Sequence, residues 1–306
     1  MLVVTGASGF IGSHLTKTLR LAGRPLILSA RSPIPAFPDH GFVPASRLAE
    51  SDVEADCIIH LAGRAHVLRE ASDNPAAAFR AANTDYPLAL ARAFARKGTR
   101  RFIFLSSVGV LGNETAPGHP FTHESRPAPH NAYALSKLEA EEGLKAIAAE
   151  TGMEVVIIRP PLVYGAGAKG NFASLVGWLE KGIPLPLGAI HNRRSLVGID
   201  NLVDIVLTTI DHPAAANRTF LVSDGEDLST TELLRRTAAA MGRPARLLPV
   251  PAALLEGTAR LLGKATLAQR LLSSLELETS FTRQTLTWRP PLTVTEGLAR
   301  AVGARA

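Results

Sequence analysis

Thr5-Gly6-Ala7-Ser8-Gly9-Phe10-Ile11-Gly12 is the stretch on which the reading of this chain turns. It directly follows an apolar run, Leu2-Val3-Val4, and opens a helical pattern over 13–21. In that setting each glycine has its own use. Gly6 permits the tight turn out of a strand, Gly9 lets backbone approach a pyrophosphate, and Gly12 allows a helix to lie close on a sheet. Ser8, Phe10 and Ile11 complete the loop, and phosphate charge would rest on free N–H groups where the helix begins. Glycines alone would say little, since 25 of 306 residues are glycine. Their place between a first strand and an amphipathic helix makes this a dinucleotide cradle.

Outward from the loop, short apolar runs alternate with longer helical patterns. The runs are Leu26-Ile27-Leu28, Cys57-Ile58-Ile59, Phe102-Ile103-Phe104-Leu105 and Val155-Val156-Ile157-Ile158; the helical patterns cover 75–96 and 132–150. Buried strands alternating with helices predict an α/β fold, a doubly wound parallel sheet of Rossmann type. After Arg159 the chain is punctuated by Pro160, Pro161, Gly165, Gly167, Gly170, Pro184 and Pro186, and the alternation stops. One more strand is expected over 219–223, followed by Ser229-Thr230-Thr231-Glu232, which has the form of a capped helix start. A Leu-rich helix is expected over 252–275, carrying Arg260, Lys264 and Arg270. Packing on the smaller domain is its expected use, with an interfacial role as the alternative. The division expected is a dinucleotide-binding domain over 1–165 and a smaller substrate-binding domain over 166–306, with exchange around 195–223.

Composition narrows the classes. Hydrophobic residues make up 46% and charged residues 20%, so a large core is available. The single cysteine, Cys57, excludes an intrachain disulfide framework and fits a reducing, cytoplasmic setting. No apolar run reaches the ~18 residues of a spanning helix, and the N-terminus does not read as a signal peptide. The net charge of +6 would allow a nucleic acid, a membrane surface or an anionic small molecule. The arginines are scattered and aromatics are only 5%, which does not make a nucleic-acid face. His66 and His191 are read as polar loop residues, and no histidine pair has metal-ligand spacing, so no metal is expected.

The second apolar run ends Ser29-Ala30-Arg31-Ser32. An acid there would bind the ribose 2′-hydroxyl of NAD; Arg31 instead suits the 2′-phosphate of NADP, with NAD as the alternative. Further on, Tyr133 and Lys137 stand four apart at a helix start and share a face. A lysine ammonium there holds a ribose and, as a nearby cation, favours tyrosinate, which makes the phenol a usable proton donor or acceptor. Ser107 closes a strand at the carboxyl edge of the sheet, where ligands bind in open α/β folds.

Taken together, several segments resemble the extended short-chain dehydrogenase/reductases that act on nucleotide-sugars. They are the glycine loop, His60-Leu61-Ala62-Gly63, Ser106-Ser107, Tyr133 with Lys137, Arg159 to Gly165, and Arg194-Ser195-Leu196-Val197-Gly198-Ile199-Asp200-Asn201. The resemblance covers about 1–240. It implies that Ser107, Tyr133 and Lys137 are the catalytic triad and that His60 to Gly63 line the cofactor. Pro160 and Val163 would lie near the nicotinamide, and Arg194 would reach the substrate diphosphate. Asn171 is a further substrate-contact candidate. The helical patterns at 75–96 and 132–150 match those that pair in family homodimers.

Within that resemblance the chemistry can be narrowed. Family dehydratases carry an Asp-Glu pair right after the equivalent of Ser107; here Val108 and Gly109 cannot transfer a proton. Epimerases and ketoreductases both use the bare triad. Leu162 stands where many UDP-sugar epimerases have asparagine, and the second strand lacks the acid expected of a tightly held NAD. Sequence alone therefore favours reduction of the C4 ketone of a UDP-4-keto-6-deoxy-N-acetylhexosamine, with Tyr133 as proton donor. Epimerisation at C4 of UDP-glucose or UDP-N-acetylglucosamine is the alternative. A non-catalytic cofactor sensor would tend to have lost Tyr133 or Lys137.

Overall fold

The computed structural model describes residues 1–65, 74–168 and 170–303. Its strands are β1 (Leu2–Thr5), β2 (Leu26–Ala30), β3 (Gly41–Pro44), β4 (Cys57–His60), β5 (Arg101–Leu105), β6 (Glu154–Arg159), β7 (Leu162–Tyr164), β8 (Arg194–Gly198), β9 (Arg218–Leu221) and β10 (Asp227–Leu228). Seven of them form one parallel sheet in the order 3-2-1-4-5-6-9. This is the doubly wound arrangement, with its switch point between β1 and β4.

Alternation within the strands shows why the apolar runs are continuous. Val4, Ile59, Ile103, Val156 and Ile158 point to one face, where Leu15 and Leu19 of α1 (Phe10–Leu21) join a shared core. Val3, Ile58, Phe102, Phe104 and Ile157 point to the other, beneath two more helices. These are α3 (Tyr86–Arg96) and α4 (Ala132–Thr151), with Phe94 and Leu144 fully buried, while α2 (Pro75–Arg80) lies against α4 and has no buried residue. Strands covered on both faces need apolar residues at every position.

The expected single helix over 75–96 is corrected in one respect. A π-helical turn, Ala81–Asp85, joins α2 to α3. Its wide turn is held by bonds to α4: Thr84 Oγ1 donates to the Ser136 carbonyl at 2.8 Å, and Asn83 Nδ2 donates to Ser136 Oγ at 3.0 Å. Strand β3 is not legible in the sequence, because a four-residue strand bounded by Gly41 and Pro44 carries almost no pattern.

A smaller sheet runs β10-β8-β7 and packs against α5 (Asn171–Glu180). Between β8 and β10 the chain returns to the large sheet: α6 (Ile199–Asp211) packs beside α1, and β9 pairs with β6. Helix α7 (Thr230–Ala240) starts as expected, with Ser229 Oγ accepting from the Glu232 amide at 3.0 Å. The expected helix over 252–275 is instead two, α8 (Ala252–Leu261) and α9 (Ala265–Leu272). Gly263, at φ +65°, turns the chain between them. Among the described residues no helix is long and apolar enough to cross a membrane.

Candidate active site

The glycine loop is built so that no side chain could replace its turn residues. A Cβ on Gly6, whose φ is +67°, would lie 2.6 Å from the Ala62 nitrogen. A Cβ on Gly12 would lie 2.2 Å from the Gly6 carbonyl oxygen. Gly9 is exposed at the N-cap of α1, and no side chain caps that helix. The first-turn amides are thus left for a ligand, and the helix end favours negative charge. Ser8 is exposed and Phe10 and Ile11 are half-buried beside it. A dinucleotide pyrophosphate fits this cradle.

At the neighbouring strand ends, Leu61 and Ala62 are half-buried and Gly63 is exposed. A Cβ on Gly63 would come within 3.4 Å of Lys137 Nζ, so the loop after β4 abuts the lysine directly. Arg31 follows β2, is exposed, and has no carboxylate partner among the described residues. Its guanidinium is free for a 2′-phosphate.

Ser107 leaves β5 and caps a short 3₁₀ turn, Val108–Val110, its Oγ accepting from the Gly109 amide at 3.1 Å. Asn131 caps α4 by accepting from the Ala134 amide at 2.8 Å, which fixes Tyr133 in the first turn. The Tyr133 ring meets the Phe79 ring edge-on at 6.2 Å. Burial raises the Tyr133 phenol above its ordinary pKa, and hydrogen bonding with the Ser107 hydroxyl works against that rise. Lys137 is buried; its Nζ donates to the Leu105 carbonyl at 2.9 Å and lies 4.4 Å from the centre of the Phe104 ring. Burial pulls this ammonium down to about 8, against the pull of Glu141 one turn further on. The three candidate catalytic side chains therefore gather at the carboxyl edge of β5. Val108, which is buried, and Gly109 bring no proton-transfer group to that edge.

Beneath them lies a group that sequence reading did not single out. Glu141 is fully buried and takes two bonds from Arg159, at 3.0 and 2.5 Å, and one from Ser106 Oγ at 2.5 Å. Asn83 is also buried and clamps the backbone of Arg64 through both its amide atoms. No local motif marks either residue, because their partners are far along the chain.

His60 is buried among Tyr86, Phe102 and Phe104, and its Nδ1 is 2.9 Å from Thr5 Oγ1. Burial, and then the Lys137 charge, push its pKa down to about 3. The unfolded chain takes this proton near 6.5 and the folded one only near 3, so stability should be lost as pH falls between those values. The expected slope is about 1.4 kcal/mol per pH unit. Urea unfolding at several pH values in that window checks this, with His60→Phe removing the His60 share of the slope; an unchanged slope in the variant would refute it.

The remaining candidates are more dispersed. Pro160 is buried and its carbonyl accepts from the Val108 amide at 2.9 Å, joining it to the Ser107 turn. Val163 is half-buried in β7 and packs on the core beside α1. Arg194 is half-buried in β8, donates to the Ser273 carbonyl at 2.9 Å, and has no carboxylate partner among the described residues. Its charge is therefore available to an anion. Asn171 opens α5, but its side chain lies outside the described part, as does all of His66. His191 is exposed. His130 borders the Ser107 turn, bonded to the Gly109 backbone; burial, and then the Arg270 charge, lower its pKa.

The chain is similar to known proteins over nearly its whole length. The family model described as "NAD dependent epimerase/dehydratase family" matches residues 2–223. The chain is 43% identical, over 99% of its own length and 94% of the relative's, to a protein of Vibrio cholerae named UDP-glucose 4-epimerase. It is similar in fold to the UDP-glucose 4-epimerase of Thermotoga maritima solved with UDP-glucose, with TM-score 0.80, 22% identity and coverage of 99% and 97%. A Pseudomonas aeruginosa protein, RMD, solved with NADPH, is 25% identical with TM-score 0.76, covering 99% and 97%.

Proposed function

We propose a reaction from one premise: the chain belongs to the NAD dependent epimerase/dehydratase family, within the extended short-chain dehydrogenase/reductases, and is an enzyme using a nicotinamide dinucleotide. The reaction is hydride transfer at C4 of the hexose of a UDP-sugar. The observation that carries it is the grouping of Ser107, Tyr133 and Lys137 beside the glycine loop.

When bound, the dinucleotide supplies or accepts the hydride. The glycine loop and the start of α1 hold its pyrophosphate, and Gly63 leaves room for its ribose next to Lys137. Tyr133 moves the proton at the C4 oxygen, and Ser107 holds that oxygen by a hydrogen bond. Burial raises the phenol, which favours the protonated form that donates in reduction; epimerisation begins with the phenolate accepting the C4 hydroxyl proton as hydride leaves, and returns that proton when the ketone is reduced. Lys137, with a pKa of about 8, carries most of its charge at pH 7 and supports the phenolate formed in the step. Arg194, and Asn171 with it, belong to the substrate side, in a smaller unit over 166–306 that gives α6 and β9 to the large sheet. The working form is a cytoplasmic homodimer joined through the helices over 75–96 and 132–150, a pairing that rests on the family resemblance.

Two directions are open to this site. Epimerisation at C4 comes first, supported by similarity over nearly the whole chain to the Vibrio cholerae epimerase. Reduction of a UDP-4-keto-6-deoxy-N-acetylhexosamine, which sequence alone ranks higher, is supported by Arg31 and by the lack of an acid after β2. The test offers UDP-glucose, UDP-N-acetylglucosamine and the keto sugar, each with NAD, with NADPH and with neither. Interconversion of C4 epimers without added reductant supports epimerisation; NADPH oxidation with the keto sugar alone supports reduction. Neither outcome with any of the three sugars would overturn the reading. In the reductive case, Arg31→Ala should raise the KM for NADPH about tenfold, an estimate for one lost charge-assisted pair, and leave that for NADH unchanged.

A further inference from the structure

Helices α8 and α9 form a hairpin with an uncovered side. No residue of α8 is fully buried. Ala252 and Leu255 lean on the smaller core, while Leu254 and Leu261 are 62% and 90% exposed, and Leu262, which ends the helix, is 65% exposed. Positions 254, 258, 261 and 262 recur at the spacing of one helical face. The three leucines therefore make one stripe, crossed only by exposed Thr258. A single exposed leucine needs no account, but an aligned set marks a contact surface.

Charge identifies the partner. Between 241 and 272, Arg243, Arg246, Arg260, Lys264 and Arg270 face one acid, Glu256, so five cations less one anion leave +4. All five cations are exposed. Arg260, Lys264 and Arg270 have no carboxylate partner among the described residues. Two copies of this chain meeting stripe to stripe would bring like charges together. A leucine stripe flanked by unpaired cations suits an anionic lipid surface.

We propose that the α8–α9 hairpin seats the protein on an anionic membrane surface. Leu254, Leu261 and Leu262 enter the headgroup boundary, and Arg260 and Lys264 meet lipid phosphates. Helix α9 leads straight into Ser273, whose carbonyl holds the Arg194 guanidinium. The docked face thus adjoins the substrate side of the site. This proposal does not depend on which sugar is turned over.

The experiment is co-sedimentation of the full chain with phosphatidylcholine vesicles, with and without about one-third phosphatidylglycerol. Binding is expected on the anionic vesicles, roughly tenfold weaker on the neutral ones and in about 0.5 M salt. The variant L254S/L261S/L262S should bind about tenfold less or worse, with unchanged melting temperature and turnover. R260E/K264E provides a second arm if the first variant does not fold. Absence of binding, or full binding by either folded variant, overturns the proposal. So does a wild-type oligomer that the leucine variant dissociates, which would make the stripe a self-contact.

Discussion

Tyr133→Phe should lower kcat by about 10²–10⁴-fold, the usual weight of a positioned proton-transfer group. The phenyl ring keeps its edge-on contact with Phe79, so α4 should not shift. Affinity for the dinucleotide should stay within a few-fold, because Lys137 and the glycine loop are untouched. Steady-state rates with the preferred sugar, alongside a direct titration of dinucleotide, separate the two effects. Loss of binding in step with turnover would make Tyr133 a structural residue. Survival of turnover within a few-fold would give the proton to another group.

The second large effect concerns stability. Arg159→Leu should cost about 3–5 kcal/mol, because it leaves the Glu141 carboxylate buried with Ser106 as its remaining hydrogen-bond partner among the described residues. The double variant E141L/R159L should recover most of that loss, since no charge is then stranded. Urea unfolding of the two single variants, the double variant and the parent measures the coupling directly. A double variant no more stable than Arg159→Leu would refute the stranded-charge account. The pair also bears on the site, because the Glu141 charge helps Lys137 one turn away keep its proton. With R159L/E141L, the pH at which Lys137 discharges should move down.

The legible part of this protein is that dictated by local chemistry. A strand, a glycine turn and a helix start need particular residues at fixed spacing, so the sheet, the cradle and the Tyr133–Lys137 face could be read directly. Long-range pairs could not. Glu141 looks like any helical surface acid until β6 brings Arg159 beneath it, and Asn83 looks like a helix-breaking polar residue until Arg64 is laid against it. Burial itself was equally hidden. Spacing alone makes Lys137 simply a cation that favours tyrosinate, whereas the fold buries Lys137 and half-buries Tyr133, raising the phenol and lowering the ammonium. The hairpin over 252–272 shows the converse: its leucines suggest a core, and only the fold reveals that three of them face outward.

The return of the chain through α6 and β9 has a consequence for how the protein is made. Strand β9 supplies the last hydrogen-bonded rung of the large sheet, on the far side of β6. A ribosome that has released only the first 165 residues has made both glycine loop and triad, yet β6 is still an open edge of apolar, β-branched residues. That edge is a template for pairing with any other strand until some fifty more residues arrive. Assembly of the nucleotide-binding half therefore waits on translation of the segment beyond it, and a chain that stalls in between is exposed to aggregation.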